Sequence, residues 1–381
     1  MTSAFLKPRV SVGGKSYSIL NEIAEGALGV VHRVKSVNAG QHFALKKMTC
    51  QDADQVAEAR KEIFLMKLLA PHPNVIPLVD SELTETRPGM VVVHMLMPYY
   101  PTSLQAVLEK GAYPLCAFVD GNGLLTILQN VADGLAHMHS RGYRHADLKP
   151  GNILLTKGCH QQAVLADLGS ACPLMVRCTS RQQALLVQED AAIATTAPYR
   201  APELWDTPND CIIDGKADVW SLGCTFYAAL FSRSPFEPPG PFSSLAILSG
   251  SYRFPAAHTW PSDYLDVISG CLAVDTTARL GLQEVQQRLK RLPTNNSLSS
   301  QGQVLAAAAQ QPAAPQVSLE GALPTLPPPL PPRVKPEKVE KEANSAFVFA
   351  ANFDEPFADF SEFCLPPTQQ EVDDEFGDFI G

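Results

Sequence analysis

The spacing of apolar and polar residues predicts strands near the start of the chain and helices after them. Residues 17–44 are predicted to form β-strands, and residues 91–97 form a largely apolar strand that ends at Pro98. Between them, residues 54–69 are predicted to form a helix, because apolar side chains recur there at 3-4-3 spacing and so share one face. These side chains are Val56, Ala59, Ile63 and Met66.

Three further helices are predicted in the second part of the chain. Residues 124–140 place apolar side chains on one face, namely Leu128, Val131, Leu135 and Met138. His137 and His139 of this segment are expected on the helix surface rather than as ligands. Residues 180–192 lack glycine and proline and are helix-prone, and Asp218 opens an apolar helix that runs to about Phe231.

A cluster of polar residues follows the helix predicted at residues 124–140. Asp147, Lys149 and Asn152 fall within six positions, an apolar Ile-Leu-Leu run follows, and Asp167 then precedes Leu168 and a glycine. Each residue alone would be typical of a polar surface loop. The ordered set indicates instead the transfer of a phosphoryl group from ATP to a hydroxyl, a reaction that needs positioning and charge neutralisation more than covalent chemistry.

This stretch resembles the catalytic loop and the magnesium loop of eukaryotic protein kinases. The resemblance implies that Asp147 orients the attacking hydroxyl and accepts its proton, while Lys149 lies near the transferring phosphoryl group. It also implies that Asn152 and Asp167 are metal ligands that hold Mg²⁺ across the phosphates of ATP, so ATP and Mg²⁺ are the expected cofactors.

Two positions depart from the kinase pattern. Ala146 stands where kinases usually carry arginine, and Leu168 stands where they usually carry phenylalanine. Leucine can still pack, but Ala146 cannot receive the negative charge of an activation-segment phosphate. We therefore expect activity that does not depend on such a phosphate.

The nucleotide site is expected to begin at a glycine-rich segment that follows the kinase pattern with alanine at its first glycine. That segment comprises Ala24, Glu25, Gly26, Ala27, Leu28, Gly29, Val30 and Val31. Alone it would be more typical of a plain hairpin turn, but Ala44 and Lys46 follow in a segment that resembles the kinase β3 motif. Glu62 is the expected partner of Lys46, and Glu58, one turn earlier, is the alternative.

The hinge between the lobes is expected at the end of the strand at residues 91–97. By resemblance, Met97 is the gatekeeper, and Pro98, which has no N–H, offers only its carbonyl to the adenine. Tyr100 then supplies a backbone N–H and C=O, and Leu154 completes the adenine site. The alternative for the tyrosines Tyr99 and Tyr100 is that they are ordinary aromatic residues at a strand end.

The activation segment limits the resemblance to one group of protein kinases. A helix at residues 180–192 is unlike the extended activation loops of most kinases, and it resembles that of the Numb-associated kinase family, closest to its myristoylated and palmitoylated serine/threonine kinase branch. Thr196 lies five residues before Ala201, where serine/threonine kinases place a hydroxyl against the catalytic Asp and Lys. Asp218 is expected to bind the catalytic-loop backbone and Arg279 to pair with Glu203, because buried charges need partners.

Composition locates the net charge in the last part of the chain. The chain carries a net charge of −9, and all of it arises from Thr294 onward, where 13 acidic and four basic side chains lie. The charge-balanced first part gives no support for nucleic-acid binding. Nine cysteines without paired spacing favour a reduced, cytoplasmic protein, and no apolar run is long enough for a transmembrane segment.

The end of the chain is low in complexity and then rich in phenylalanine. Residues 293–345 are predicted to be a disordered linker, in which residues 328–333 match a ligand of a polyproline-binding module, although a mere spacer is the alternative. Residues 346–381 contain eight of the chain's 17 phenylalanines, set among acids. Residues 354–360 and 374–379 resemble the peptides that dock into the ear domains of clathrin adaptors. The alternative is that this tail folds back onto the kinase domain.

Together these features predict an α+β protein with the bilobal kinase fold at residues 17–292 and a disordered C-terminal tail. The expected function is a serine/threonine protein kinase of membrane trafficking, cytoplasmic and peripheral on Golgi or endosomal membranes. The rival hypothesis is a pseudokinase scaffold, motivated by Ala24, Ala146 and Leu168. A small-molecule kinase is disfavoured by Thr196 and by the Ala-Pro-Glu sequence that starts at Ala201.

Overall fold

The computed structural model describes residues 8–26, 29–110, 121–156, 162–237, 242–258 and 260–293. The linker from residue 294 onward and the phenylalanine motifs of the tail lie outside the described residues, as do Ala27 and Leu28 of the glycine-rich segment.

The N-terminal lobe is an antiparallel sheet of six strands in the order β1-β2-β3-β4-β6-β5. The strands are β1 (Arg9–Val12), β2 (Lys15–Gly26), β3 (Gly29–Ser36), β4 (His42–Cys50), β5 (Asp80–Arg87) and β6 (Met90–Pro98). Short connections join β1 to β2, β3 to β4 and β5 to β6, and helix α1 (Ala53–Leu68) is inserted between β4 and β5.

Helix α1 forms where the 3-4-3 spacing predicted it. The Asp52 side chain caps its first turn by accepting a hydrogen bond from the Gln55 N–H at 2.8 Å. Ala59, Ile63 and Met66 are buried, and Glu62 lies buried on the same helix. A buried carboxylate on an otherwise apolar face signals a charged partner.

The C-terminal lobe is mainly helical. Its helices are α2 (Leu104–Glu109), α3 (Gly121–Ser140), α4 (Arg181–Ala194), α5 (Pro202–Trp205), α6 (Lys216–Phe231), α7 (Ser244–Leu248), α8 (Ser262–Cys271) and α9 (Leu282–Arg291). Every residue of α6 from Ala217 to Phe231 is buried, so this helix is the centre of the lobe. None of the helices in the described part of the chain is long and apolar enough to cross a bilayer.

Short strands lie among these helices along the chain. They are β7 (Thr102–Ser103), β8 (Tyr143–Arg144), β9 (Ile153–Leu155), β10 (Ala163–Leu165), β11 (Cys172–Pro173), β12 (Val176–Cys178) and β13 (Cys211–Ile213). Strands β10, β9 and β7 form one small sheet, β11 pairs with β8, and β12 pairs with β13. A strand-rich lobe and a helix-rich lobe confirm the predicted α+β bilobal fold.

Candidate active site

A buried carboxylate at the start of α6 holds the catalytic loop. Asp218 Oδ2 accepts a hydrogen bond from the His145 N–H at 2.8 Å, and Oδ1 accepts one from the Ala146 N–H at 3.0 Å. These contacts confirm the role predicted for Asp218. They fix a backbone that is strained at Ala146, whose φ is +65°.

His139 completes the environment of Asp218 and corrects a sequence-based expectation. It was expected on the helix surface, but its Nε2 lies 2.8 Å from Asp218 Oδ2. Burial would raise the pKa of Asp218, yet the hydrogen bond and charge of His139, helped by Arg144 and His145, lower it to about 2. The sequence did indicate that His139 faces the core, because His139 follows Leu135 by one turn and so continues the apolar face of α3.

His137 also differs from the expectation of a surface residue. Its Nε2 lies 2.9 Å from the Leu69 carbonyl oxygen, and its ring stacks on His72 with centroids 4.3 Å apart. These contacts join α3 to the loop that follows α1.

Asp147 is surrounded by donors from the catalytic loop and the activation segment. Its Oδ1 accepts hydrogen bonds from the Thr196 N–H at 2.8 Å and from the Thr196 hydroxyl at 2.7 Å. Its Oδ2 accepts from Lys149 Nζ at 2.7 Å and from Asn152 Nδ2 at 3.1 Å. Lys149 Nζ also donates to the Thr196 hydroxyl at 2.6 Å. The predicted contact of Thr196 with both the aspartate and the lysine is therefore present.

Asn152 and Asp167 lie on neighbouring backbone segments. The Asn152 carbonyl accepts a hydrogen bond from the Ala166 N–H at 2.9 Å, directly before Asp167. The Asn152 amide nitrogen donates to the Asp147 carbonyl at 2.8 Å, so its amide oxygen is the atom available to a cation. The Asp167 carboxylate and the Asn152 amide oxygen are hard-oxygen donors of the kind that Mg²⁺ prefers, and the residues present therefore fit the expected metal.

Lys46 joins the sheet, α1 and Asp167. Its Nζ lies 2.7 Å from both carboxylate oxygens of Glu62 and 3.4 Å from Asp167 Oδ1. Burial alone would lower the pKa of Lys46, but the two carboxylates outweigh it and raise that pKa above its usual value. The alternative partner, Glu58, instead contacts Lys61 at 3.5 Å.

The glycine-rich hairpin closes between β2 and β3. Gly26 pairs with Gly29, and Ala24 pairs with Val31. A Cβ atom at Gly29 would lie 2.3 Å from the Lys47 carbonyl oxygen, so only glycine fits the close approach of β3 to β4. Ala24 and Val31, at the two ends of the glycine-rich segment, thus face each other across the hairpin.

The residues expected at the hinge lie at the end of β6. Ala44 and Phe43 of β4 pair with Met97 and Pro98, respectively, so the predicted gatekeeper adjoins the strand that carries Lys46. Burial raises the pKa of Tyr100, which packs partly against the core. Leu154 on β9 also packs against this core and pairs with Val164 of β10.

The activation segment forms the predicted helix, α4. The Ser180 hydroxyl caps it by accepting from the Gln183 N–H at 3.3 Å, and Ala184, Val187 and Ala191 bury one face. The Ser170 hydroxyl, which the sequence did not single out, donates to the Ala194 carbonyl at 2.8 Å. The segment is thus tied to the magnesium loop at its far end.

Two arginines near the site, Arg279 and Arg144, make structural contacts. Arg279 donates to Glu203 at 2.7 and 2.9 Å, which confirms the predicted pair. Arg144 is only 4% exposed and its Nε donates to the Pro173 carbonyl at 3.4 Å. Arg144 therefore does not take the place of the arginine that most kinases carry at the position of Ala146. Independence from an activation-segment phosphate stays a prediction.

Comparisons with known proteins agree with this geometry. The family model described as the protein kinase domain matches residues 17–289. Serine/threonine-protein kinase 16 of mouse is 31% identical over 291 residues, which cover 74% of this chain and 92% of the mouse protein. The human protein of the same name is 34% identical over 233 residues, covering 60% of this chain and 73% of the human one. Serine/threonine-protein kinase ENV7 of Saccharomyces cerevisiae is 26% identical over 351 residues, which cover 76% of this chain and 95% of the yeast protein. The chain therefore belongs to the protein kinase family, among its serine/threonine kinases.

Proposed function

We propose that this serine/threonine protein kinase is catalytically competent, that Asp147 is its catalytic base, and that it modifies proteins of membrane trafficking. The observation that supports competence is the set of contacts around Asp147. Lys149, Asn152 and Thr196 hold both carboxylate oxygens at 2.7–3.1 Å. A scaffold without activity would have no need of such an arrangement.

The environment of Asp147 suits a base that receives a hydroxyl proton. A carboxylate has about four acceptor sites, and the four hydrogen bonds to Asp147 fill them. The Thr196 hydroxyl is the neutral alcohol of this set, so a substrate serine or threonine would take its place at Oδ1. The Lys149 ammonium then remains on Oδ2, beside the charge that develops during transfer.

The opposite side of the site would hold the nucleotide. A protein kinase domain uses ATP with a divalent metal, which neutralises phosphate charge when it is bound. Lys46, fixed by Glu62, would contact the phosphates, while Asn152 and Asp167 would hold Mg²⁺. The backbone of Pro98 and Tyr100 would receive the adenine beneath the glycine-rich hairpin, with Ala44 and Leu154 on its faces.

The experiment that tests competence is transfer of labelled phosphate from ATP to a protein substrate, with an Asp147→Asn control. Turnover by the wild-type protein that the variant loses supports the proposal. If neither protein transfers phosphate, the pseudokinase scaffold is favoured instead.

The proposal of a trafficking role depends on the tail and on α4. The helical activation segment supports membership of the Numb-associated family, and the acid-flanked phenylalanines support docking on clathrin-adaptor ear domains. Phenylalanine rings would enter apolar pockets while the acids contact a basic rim. One such motif buries little area and should bind weakly, of about micromolar order, but two linked motifs gain from effective concentration.

The docking proposal predicts binding of a peptide that covers residues 352–381 to isolated adaptor ear domains. The control is the same peptide with alanine at four positions, Phe357, Phe360, Phe376 and Phe379. The native peptide should bind at least about tenfold more tightly in a titration, because it retains the rings. Equal binding of both peptides would exclude the docking role, while the assignment as a kinase would stand.

A further inference from the structure

Two cysteine thiols face each other across the small sheet that flanks the activation segment. Cys178 of β12 and Cys211 of β13 are direct partners in the antiparallel register. Directly opposed residues have Cα atoms about 4.5–5.5 Å apart, which lies within the range of about 4.4–6.8 Å that disulfides span. The two thiols are also close enough that the proximity of Cys178 contributes to the raised pKa of Cys211. The backbone is therefore arranged for an S–S bond.

Access distinguishes this pair from a second one in the core. Cys211 is partly exposed, whereas Cys178 is fully buried behind it. Cys224 of α6 and Cys271 of α8 also interact, but both are fully buried. A small oxidant in solution can thus reach one thiol of the first pair and neither thiol of the second.

We propose that Cys178 and Cys211 form a redox-responsive pair, which a hydroperoxide converts into a disulfide that crosslinks the activation segment to β13. With hydrogen peroxide, the Cys211 sulfur attacks one peroxide oxygen, becomes a sulfenic acid and releases one water. The Cys178 sulfur then attacks the sulfenic sulfur, forms the S–S bond and releases a second water. The two thiols lose two electrons and two protons, and the peroxide takes up both.

The disulfide would close a ring that contains most of the activation segment. The ring that it closes runs from Cys178 to Cys211 and contains α4, Thr196 and Glu203. These elements position the activation segment against Asp147. Because the two strands are already paired, the disulfide holds the segment in its present arrangement rather than displacing it, and it restricts local opening of the ring.

The reaction is expected to be slow near neutral pH. Burial, followed by the proximity of Cys178, raises the pKa of Cys211 to about 11, so little reactive thiolate is present. The rate of crosslinking should therefore increase about tenfold with each pH unit between 7 and 9.

The experiment treats the full-length native protein with hydrogen peroxide, blocks the remaining thiols and digests with trypsin without reduction. Cleavage after Arg177, Arg181, Arg200 and Lys216 leaves each cysteine of the pair as the single cysteine of its peptide, residues 178–181 and 201–216. We expect these peptides to be joined, to lack two hydrogens relative to their sum, and to separate on reduction. The joined peptide should be absent from the Cys211→Ser protein.

The core pair serves as an internal control for folding. A joined peptide that contains Cys224 and Cys271 would show that peroxide reached the core of an unfolded chain. Tryptic cleavage of the native protein at Arg181 and Arg200 should be about tenfold slower after oxidation of the wild type, but unchanged in Cys211→Ser. The proposal is overturned if the Cys211 thiol is consumed without formation of the joined peptide, or if oxidation does not slow this cleavage.

Discussion

The residues proposed to contact the phosphates of ATP could be named from the sequence, whereas their partners depended on three-dimensional contacts. Lys46 followed from its strand motif, but the sequence left Glu58 and Glu62 as alternatives one turn apart. The burial of Glu62 decides between them, because Glu58 lies on the exposed side of α1. His139 was missed since a histidine at a helix end is more often solvated. Its partner, Asp218, lies 79 residues further along the chain.

Lys46 allows a matched test at residue scale, because Lys47 follows it on the same strand and is exposed. We expect Lys46→Met to lower phosphoryl transfer by roughly two powers of ten or more, since the variant loses the positive charge that is proposed to contact the phosphates. Lys47→Met should leave the rate nearly unchanged. Steady-state rates and thermal unfolding of both variants check this expectation. Equal rates in the two folded variants would remove Lys46 from the phosphate site.

At the scale of elements, long periodic segments were predictable and short ones were not. Helices α1, α3, α4 and α6 formed within a few residues of their predicted limits, because α1, α3 and α4 each bury an apolar face and α6 is buried all round. Strands β7 to β13 contain only two or three residues each, too few for a period. Their formation depends on pairing with distant segments, such as β12 with β13, and no local pattern records that pairing.

Helix α4 contains a carboxylate in an unfavourable position. Asp190 is partly buried, and its Oδ2 is buried without a hydrogen-bond partner in the described structure. Burial and then the neighbouring Glu189, only partly offset by Lys61, raise the pKa of Asp190 to about 6. In the unfolded chain this group has the ordinary pKa of 3.8. The folded state thus binds the proton more tightly. As the pH rises between these two pKa values, Asp190 lowers the free energy of unfolding.

Replacing Asp190 by asparagine should therefore stabilise the protein at neutral pH. We expect Asp190→Asn to raise the midpoint of thermal unfolding by about 2 °C or more at pH 7.5, an advantage that declines below pH 6. Glu189→Gln, at the exposed neighbouring position, is the control and should have a smaller effect. An advantage of Asp190→Asn that grows as the pH falls would have the wrong sign and would contradict this account.

At the scale of the whole molecule, the sequence predicted a catalytic part and a docking part from different signals. The kinase fold followed from ordered motifs and periodic segments, which the bilobal structure confirms. The acidic phenylalanine tail was recognised only from composition and short peptides, and it lies outside the described residues. The cysteine pair of β12 and β13 could not be found in the sequence, because 33 positions separate two residues that only the folded chain brings together.

The central claim is that the contacts around Asp147 make this chain an active kinase despite Ala146. The most direct measurement is the rate of phosphoryl transfer from labelled ATP to matched peptides with serine, threonine or tyrosine at one position. The account predicts transfer to serine and threonine over tyrosine, and a loss of several powers of ten in Asp147→Asn, which should fold and bind ATP normally. Transfer by Asp147→Asn at a rate near that of the wild type, or no transfer by the wild-type protein to any acceptor, would contradict the claim.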